Sequence, residues 1–113
     1  MQNPKFTIVT PSYNQGRYIE DTIVSVINQD YRNFEHIIID GGSTDNTKDV
    51  LKKYDPYLTY WKSESDSGQA NAINIGFEHA TGDIYCWLNS DDRLLPGALK
   101  TVAYYMDSRD CLL

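Results

Sequence analysis

At 113 residues the chain is about one domain long, and 41% hydrophobic against 23% charged residues is the balance of a folded chain with one core, not of a disordered segment. Sixteen acidic against ten basic residues leave a net charge of −6 and no basic patch, which speaks against a nucleic-acid backbone as partner. No apolar run approaches the ~20 residues of a membrane helix, and residues 1–5 lack the layout of a signal peptide, so the expectation is a cytoplasmic protein with no membrane span.

Short β-rich runs alternate with helix-period segments, the pattern of repeated βα units. Residues 6–10 read as a first strand, stopped by Pro11-Ser12 and the turn-prone Asn14-Gln15-Gly16. A helix follows with Ile19, Ile23, Val26 and Ile27 on one face. Residues 34–39 form a second strand whose unbroken Ile37-Ile38-Ile39 predicts burial on both faces, as in a parallel sheet. After the loop Asp40-Gly-Gly-Ser-Thr-Asp45 comes a helix with the stripe Val50, Leu51, Tyr54, then a weaker third strand over 58–61. Ser67 is a good N-cap for a helix that carries Ala70, Ile73, Phe77 and Ala80 on one side. A fourth strand over 83–88 ends at Asn89-Ser-Asp-Asp92. Pro96 suits the first turn of a last helix bearing Leu99, Val102, Tyr105 and Met106. The final residues, Asp110-Cys-Leu-Leu113, look like the approach to a further strand, so the expectation is one α/β domain over 1–113 that forms the front part of a longer protein.

Four strands separated by helices imply right-handed crossovers and a mainly parallel, twisted sheet with helices on both faces, expected in the order 3-2-1-4. Ligands of such sheets bind beyond the carboxyl ends of the strands, where the order reverses. Pro11-Ser-Tyr-Asn14, Asp40-Gly-Gly-Ser-Thr-Asp45 and Asn89-Ser-Asp-Asp92 all fall there. Each loop alone is also ordinary turn and cap chemistry: Ser43 or Thr44 can cap the second helix, with Asp45 at its positive end. The adjacent carboxylates Asp91 and Asp92 are less ordinary, because they repel unless a cation or strong donors compensate, and a divalent metal is their natural partner.

No G-x-G-x-x-G follows the first strand and no G-x-x-x-x-G-K-[ST] occurs, which disfavours a simple dinucleotide or P-loop site. Asp45 stands where an EF-hand loop needs its turn glycine. An anionic nucleotide on this acidic chain therefore needs a metal between itself and the protein. Cys86 and Cys111 are too few for a disulfide framework and too distant for a ligand pair; Cys86, between Tyr85 and Trp87, reads as a small buried hydrophobe. His36 and His79 read as strand-filling or surface residues.

Thr10-Pro-Ser-Tyr-Asn14, Asp40-Gly-Gly-Ser-Thr-Asp45, Ser63-Glu-Ser-Asp-Ser-Gly-Gln69 leading into Ala72-Ile-Asn-Ile-Gly76, and Trp87-Leu-Asn-Ser-Asp-Asp92 resemble, in order and spacing, the motifs of family 2 glycosyltransferases. The resemblance runs over residues 6–98 and implies the GT-A fold and an inverting transfer of sugar from a nucleotide-sugar donor, a UDP-sugar first, to a saccharide or lipid-linked acceptor in cell-wall or polysaccharide biosynthesis. It implies Pro11 and Tyr13 in the nucleobase pocket and Asp40 as acceptor of a base hydrogen bond. It also implies Asp66, Gly68 and Gln69 beside the donor and Asn74 facing it, with Ser12, Asn14, Gly42, Ser43 and Ser90 completing the donor site. Asp91 matches the metal-binding aspartate of the family's D-x-D motif, for Mg²⁺ or Mn²⁺, with Asp92 beside it. The first aspartate of that motif is Asn89 here, which can hydrogen-bond a ribose hydroxyl but brings no charge.

In this family the general base and the acceptor site lie in a later segment, and no acidic loop follows Asp92, so the base is expected beyond Leu113. A non-catalytic nucleotide-sugar-binding module is the alternative from another class. A phosphoryl-transfer receiver domain is weakened because no lysine follows Lys100.

Overall fold

The structure, a computed structural model, describes residues 3–65 and 68–107. Strands β1 (Phe6–Ser12), β2 (Phe34–Asp40), β3 (Tyr60–Ser63) and β4 (Ile84–Trp87) alternate with helices α1 (Ile19–Ile27), α2 (Thr47–Lys53), α3 (Gln69–Glu78) and α4 (Ala98–Asp107). The sheet has the order β3-β2-β1-β4, and every pairing is parallel, with Phe6 opposite both Phe34 and Ile84, and Asp40 opposite Ser63. The order and the α/β class are those expected. Among the described residues no helix is long and apolar enough to cross a membrane.

The isoleucine triplet does what its continuity predicts. Ile38 packs with Ile19 and Ile23 of α1 and Leu51 of α2 on one face, while Ile37 and Ile39 pack with Val9 and Ala72 of α3 on the other. Each fully buried side chain of this kind contributes about 1.5–3 kcal/mol. A second cluster on the α1 face joins Phe6, Ile8 and Val26 to Leu99 and Ala103 of α4. Cys86 packs against this cluster, and burial pushes its thiol up to about 11, in keeping with a structural role. Cys111 lies outside the described residues. At the amino ends of the strands, buried Glu35 accepts hydrogen bonds from Thr7 Oγ1 and from Thr81 N and Oγ1, which ties β2, β1 and the turn before β4 together.

Four local expectations are corrected. β1 does not stop at Pro11: its ladder to β2 runs through Ser12, and on the β4 side pairing ends at Val9, so the missing proline N–H has no partner waiting there. β3 lies two residues later than expected, because Asp55–Tyr57 form a 3₁₀ turn and Leu58 is spent as a buried connector. On α3 the buried positions are Ala72 and Gly76, not Ala70 and Ile73, since a Cβ on Gly76 would stand 2.4 Å from Val9 Cγ1 and only glycine lets the helix sit so close. On α4 the buried pair is Leu99 and Ala103, one turn apart, while Val102 and Tyr105 face outward; Pro96 precedes the helix, separated from it by Gly97 at φ +78. The expected cap Ser67 and the strand approach near residue 111 lie outside the described residues.

Candidate functional site

A cleft of about 610 Å³ opens at the carboxyl edge of the sheet, where β1 lies between β2 and β4. Pro11, Ser12, Tyr13 and Gln15 form one wall, Gly41 and Ser65 a second, Gly68, Gln69 and Ala72 of the α3 start a third, and Asn89, Ser90 and Asp91 the fourth. The switch point between β1 and β4 thus brings the first and last of these walls together, as the strand order requires.

Tyr13 is 59% exposed, a large ring left uncovered on the cleft wall. Ser12 Oγ is the one buried side-chain polar atom without a hydrogen-bond partner among the described residues. Gln69 Nε2 donates to Asn89 Oδ1 at 2.9 Å, closing the gap between α3 and the β4 loop. Asp91 and Asp92 are both exposed, and no described side chain forms an ion pair with either. No group of three or more His, Cys, Asp or Glu side chains suited to a metal occurs among the described residues. The carboxylates of Asp91 and Asp92 are thus the oxygen donors that the end of the fourth wall offers to a cation.

The loops themselves are held by polar ties between elements. Asn14, at φ +51, accepts from Thr44 N through Oδ1, and its own N–H donates to Ser43 Oγ. Asp45 accepts from Gly16 N and from Thr47 N and Oγ1; partial burial opposes its ionisation, but these hydrogen bonds outweigh it and hold the carboxyl below the usual range. The Asn89–Asp92 loop is pinned from below by α1: the one proton of Thr22 Oγ1 is shared between the carbonyls of Ser90 and Asp92, and Leu94 N donates to Ser25 Oγ. Gln29 completes the row, donating to Leu95 O and accepting from Leu99 N.

Of the residues expected at the site, Pro11, Ser12, Tyr13, Gly68, Gln69, Asn89, Ser90 and Asp91 line the cleft. Asp66 lies outside the described residues. Six others do not line the cleft, among them Asp92, which is exposed and next to Asp91 in the chain. Asp40 is 0% exposed, and its oxygens are taken by Ser43 N, Ser43 Oγ and Ser63 Oγ; the residue that reaches the cleft is Gly41. Gly42 and Ser43 turn away with it, Gly42 at φ +82 against the Ser65 backbone. Asn14 is a tie between loops. Asn74 is exposed on the outer side of α3, about 200° around the helix from cleft-lining Ala72. Gln15, Gly41, Ser65 and Ala72 line the cleft without having been singled out. Thr22, Ser25 and Gln29 were also missed, although a polar row at i, i+3, i+7 flanking an apolar stripe is a readable sign of a second buried contact.

The model of the family described as "Glycosyl transferase family 2" matches residues 7–112. The chain belongs to glycosyl transferase family 2. A Bacillus subtilis family protein, the glycosyltransferase TuaG, whose name assigns it to teichuronic acid biosynthesis, is 39% identical over 111 residues, covering 96% of this chain and 44% of TuaG. Among solved structures, S. aureus TarS (residues 1–349, in complex with UDP-GlcNAc) superposes with a TM-score of 0.83 at 29% identity, over 91% of this chain and 31% of that one. The mannosyltransferase PcManGT from Pyrobaculum calidifontis, in complex with GDP-Man and Mn²⁺, gives 0.78 at 30% identity, again over 91% of this chain and 31% of that one. The fold is that of the GT-A transferases, and the chain spans less than half the length of these relatives.

Proposed function

We propose that this chain is the donor-binding part of an inverting glycosyltransferase that takes its sugar from a nucleoside-diphosphate sugar, with Mg²⁺ or Mn²⁺, for a saccharide or lipid-linked acceptor. The observation that carries the reading is the cleft itself: an exposed tyrosine on the β1 wall faces the Asn89-Ser-Asp91 wall across the switch point of a GT-A sheet. The name of TuaG supports a polysaccharide product, and the TarS and PcManGT complexes support nucleotide-sugar donors with two different bases. Uridine is placed first in this reading, with the TarS complex with UDP-GlcNAc as its support.

In this reading the Tyr13 ring stacks on the base, since a large exposed ring gains most from covering another π face. Ser12 Oγ, unpartnered in the protein, gives its hydrogen bond to the nucleoside. Asn89, held by Gln69, offers its amide to a ribose hydroxyl. Asp91 and Asp92 would hold the cation, which would supply positive charge beside the diphosphate. Asp91, on the cleft wall, takes the larger share. In this reading the general base that removes the acceptor's proton, and the acceptor pocket, are not among these 113 residues.

A calorimetric panel of UDP, GDP and their sugars, with and without Mn²⁺, tests the reading. Binding of a nucleoside diphosphate with no sugar transfer to added acceptors is the expected result. Absence of binding by every nucleotide contradicts it, and robust transfer by these residues alone shows that the base lies among them.

A further inference from the structure

Asp40 lies at a crossing of three cleft walls, and its surroundings assign it a task other than touching a ligand. Its carboxylate ends β2 and is 0% exposed. Oδ1 accepts from Ser43 Oγ at 2.6 Å, while Oδ2 accepts from Ser43 N at 2.8 Å and from Ser63 Oγ at 2.7 Å. The Ser43 hydroxyl, having donated to Asp40, is left with lone pairs for the Asn14 N–H at 2.8 Å. Asn14 is the residue after Tyr13, and it is held in the left-handed region by the second bond from Thr44 N. Ser63 stands two residues before Ser65 on the cleft wall, and Gly41, bonded through its N–H to Ser12 O, follows Asp40 directly.

We propose that Asp40 is a positioning residue: one buried carboxylate clamps the β1 loop, the β2 loop and the end of β3 around the cleft and sets the place of Tyr13 through Ser43 and Asn14. The inference rests on the donor-binding reading for its consequence, but the clamp itself is a property of the free protein. A carboxylate is needed because three donors converge on two oxygens, and hydrogen bonds to a charged acceptor are the strong ones. An asparagine has one acceptor oxygen, so whichever way the amide turns its NH₂ meets an N–H or takes a hydroxyl away from its present role.

Two readouts on the 113-residue chain test this, with Asp40→Asn and the milder Ser43→Ala. Amide hydrogen exchange without ligand reads the clamp: exchange at Asn14 and Thr44 accelerates about tenfold in both variants, while Val9 and Ile37 in the sheet stay as protected as in the wild type. Unchanged exchange at Asn14 and Thr44 overturns the clamp. Titration with UDP and with GDP in Mn²⁺ reads the consequence: Ser43→Ala weakens binding several-fold, and Tyr13→Ala costs less affinity in the Ser43→Ala background than in the wild type. Additive losses overturn the link to Tyr13. Loss of nucleotide binding in Asp40→Asn with wild-type exchange at Asn14 overturns the proposal in favour of direct contact. A wild type that binds no nucleotide refutes the donor reading, and the exchange result then decides the clamp alone.

Discussion

Thr22 on α1 donates its hydroxyl to the main-chain carbonyl of Ser90, 3.0 Å away and 68 residues later in the chain. The same oxygen reaches the carbonyl of Asp92, so Asp91 sits between two carbonyls held by one buried side chain. Neither carboxylate of this loop has an ion-pair partner among the described residues, and the loop backbone is tied to the helix beneath it.

Thr22→Val keeps the shape and removes the donor. With buried carbonyls left unpaired it is expected to lose about 1–3 kcal/mol of stability, and Thr22→Ser most of a kcal/mol less. Denaturant unfolding of the three proteins checks the order. Equal stability of Thr22→Val and wild type would show that the loop holds itself.

Gly76→Ala places a Cβ 2.4 Å from Val9 Cγ1, in the middle of the α3–sheet contact. Overpacking of this kind costs about 1–3 kcal/mol. Val9→Ala is destabilising alone but should recover part of the loss when combined with Gly76→Ala. A double variant no better than the sum of the two singles would remove the steric explanation.

Ser12→Ala deletes a hydroxyl that has no partner in the protein, so thermal unfolding should be unchanged or slightly raised. The same variant should bind nucleoside diphosphate several-fold more weakly. Lower stability with unchanged nucleotide affinity would mean that the hydroxyl serves the fold.

His36 is fully buried, hydrogen-bonded to Thr10 Oγ1, and burial lowers its pKa from the ordinary 6.5 to about 4. The unfolded chain therefore takes up this proton first as pH falls. The contribution is complete above about pH 6.5 and is lost on the way down to about pH 4, reaching roughly 3 kcal/mol by the lower end. Glu35 and Asp45, whose carboxyls lie below their ordinary values, release their contributions only at lower pH. Stability measured between these limits should fall in the wild type and stay nearly flat in His36→Gln. Parallel curves would place the proton elsewhere.

Strand order and the place of the cleft were legible because they follow from coarse patterns: the Ile37-Ile38-Ile39 run, the βα alternation and the rule that parallel sheets bind at their carboxyl edge. Which side chain lines that cleft follows from parity and helical angle, which motif spacing alone does not carry. Asp40 shares the parity of His36 and Ile38, which face α1, so a β2 ladder carried to its end already turns the carboxylate inward and leaves Gly41 at the cleft. Asn74 is two residues from Ala72 and so cannot share its face. On α4, Leu99 with Val102 and Leu99 with Ala103 are equally good helical pairs, and only the distance between α4 and the sheet chooses the smaller residue.

The central claim is a nucleoside diphosphate held across the cleft, with a cation between its phosphates and Asp91. Affinity for UDP measured in Mn²⁺ and in excess EDTA, for the wild type, Asp91→Ala and Asp92→Ala, tests it most directly. The account predicts binding that depends on the cation in the wild type, loses that dependence in Asp91→Ala and keeps part of it in Asp92→Ala. Equal wild-type affinity in Mn²⁺ and in EDTA would contradict it.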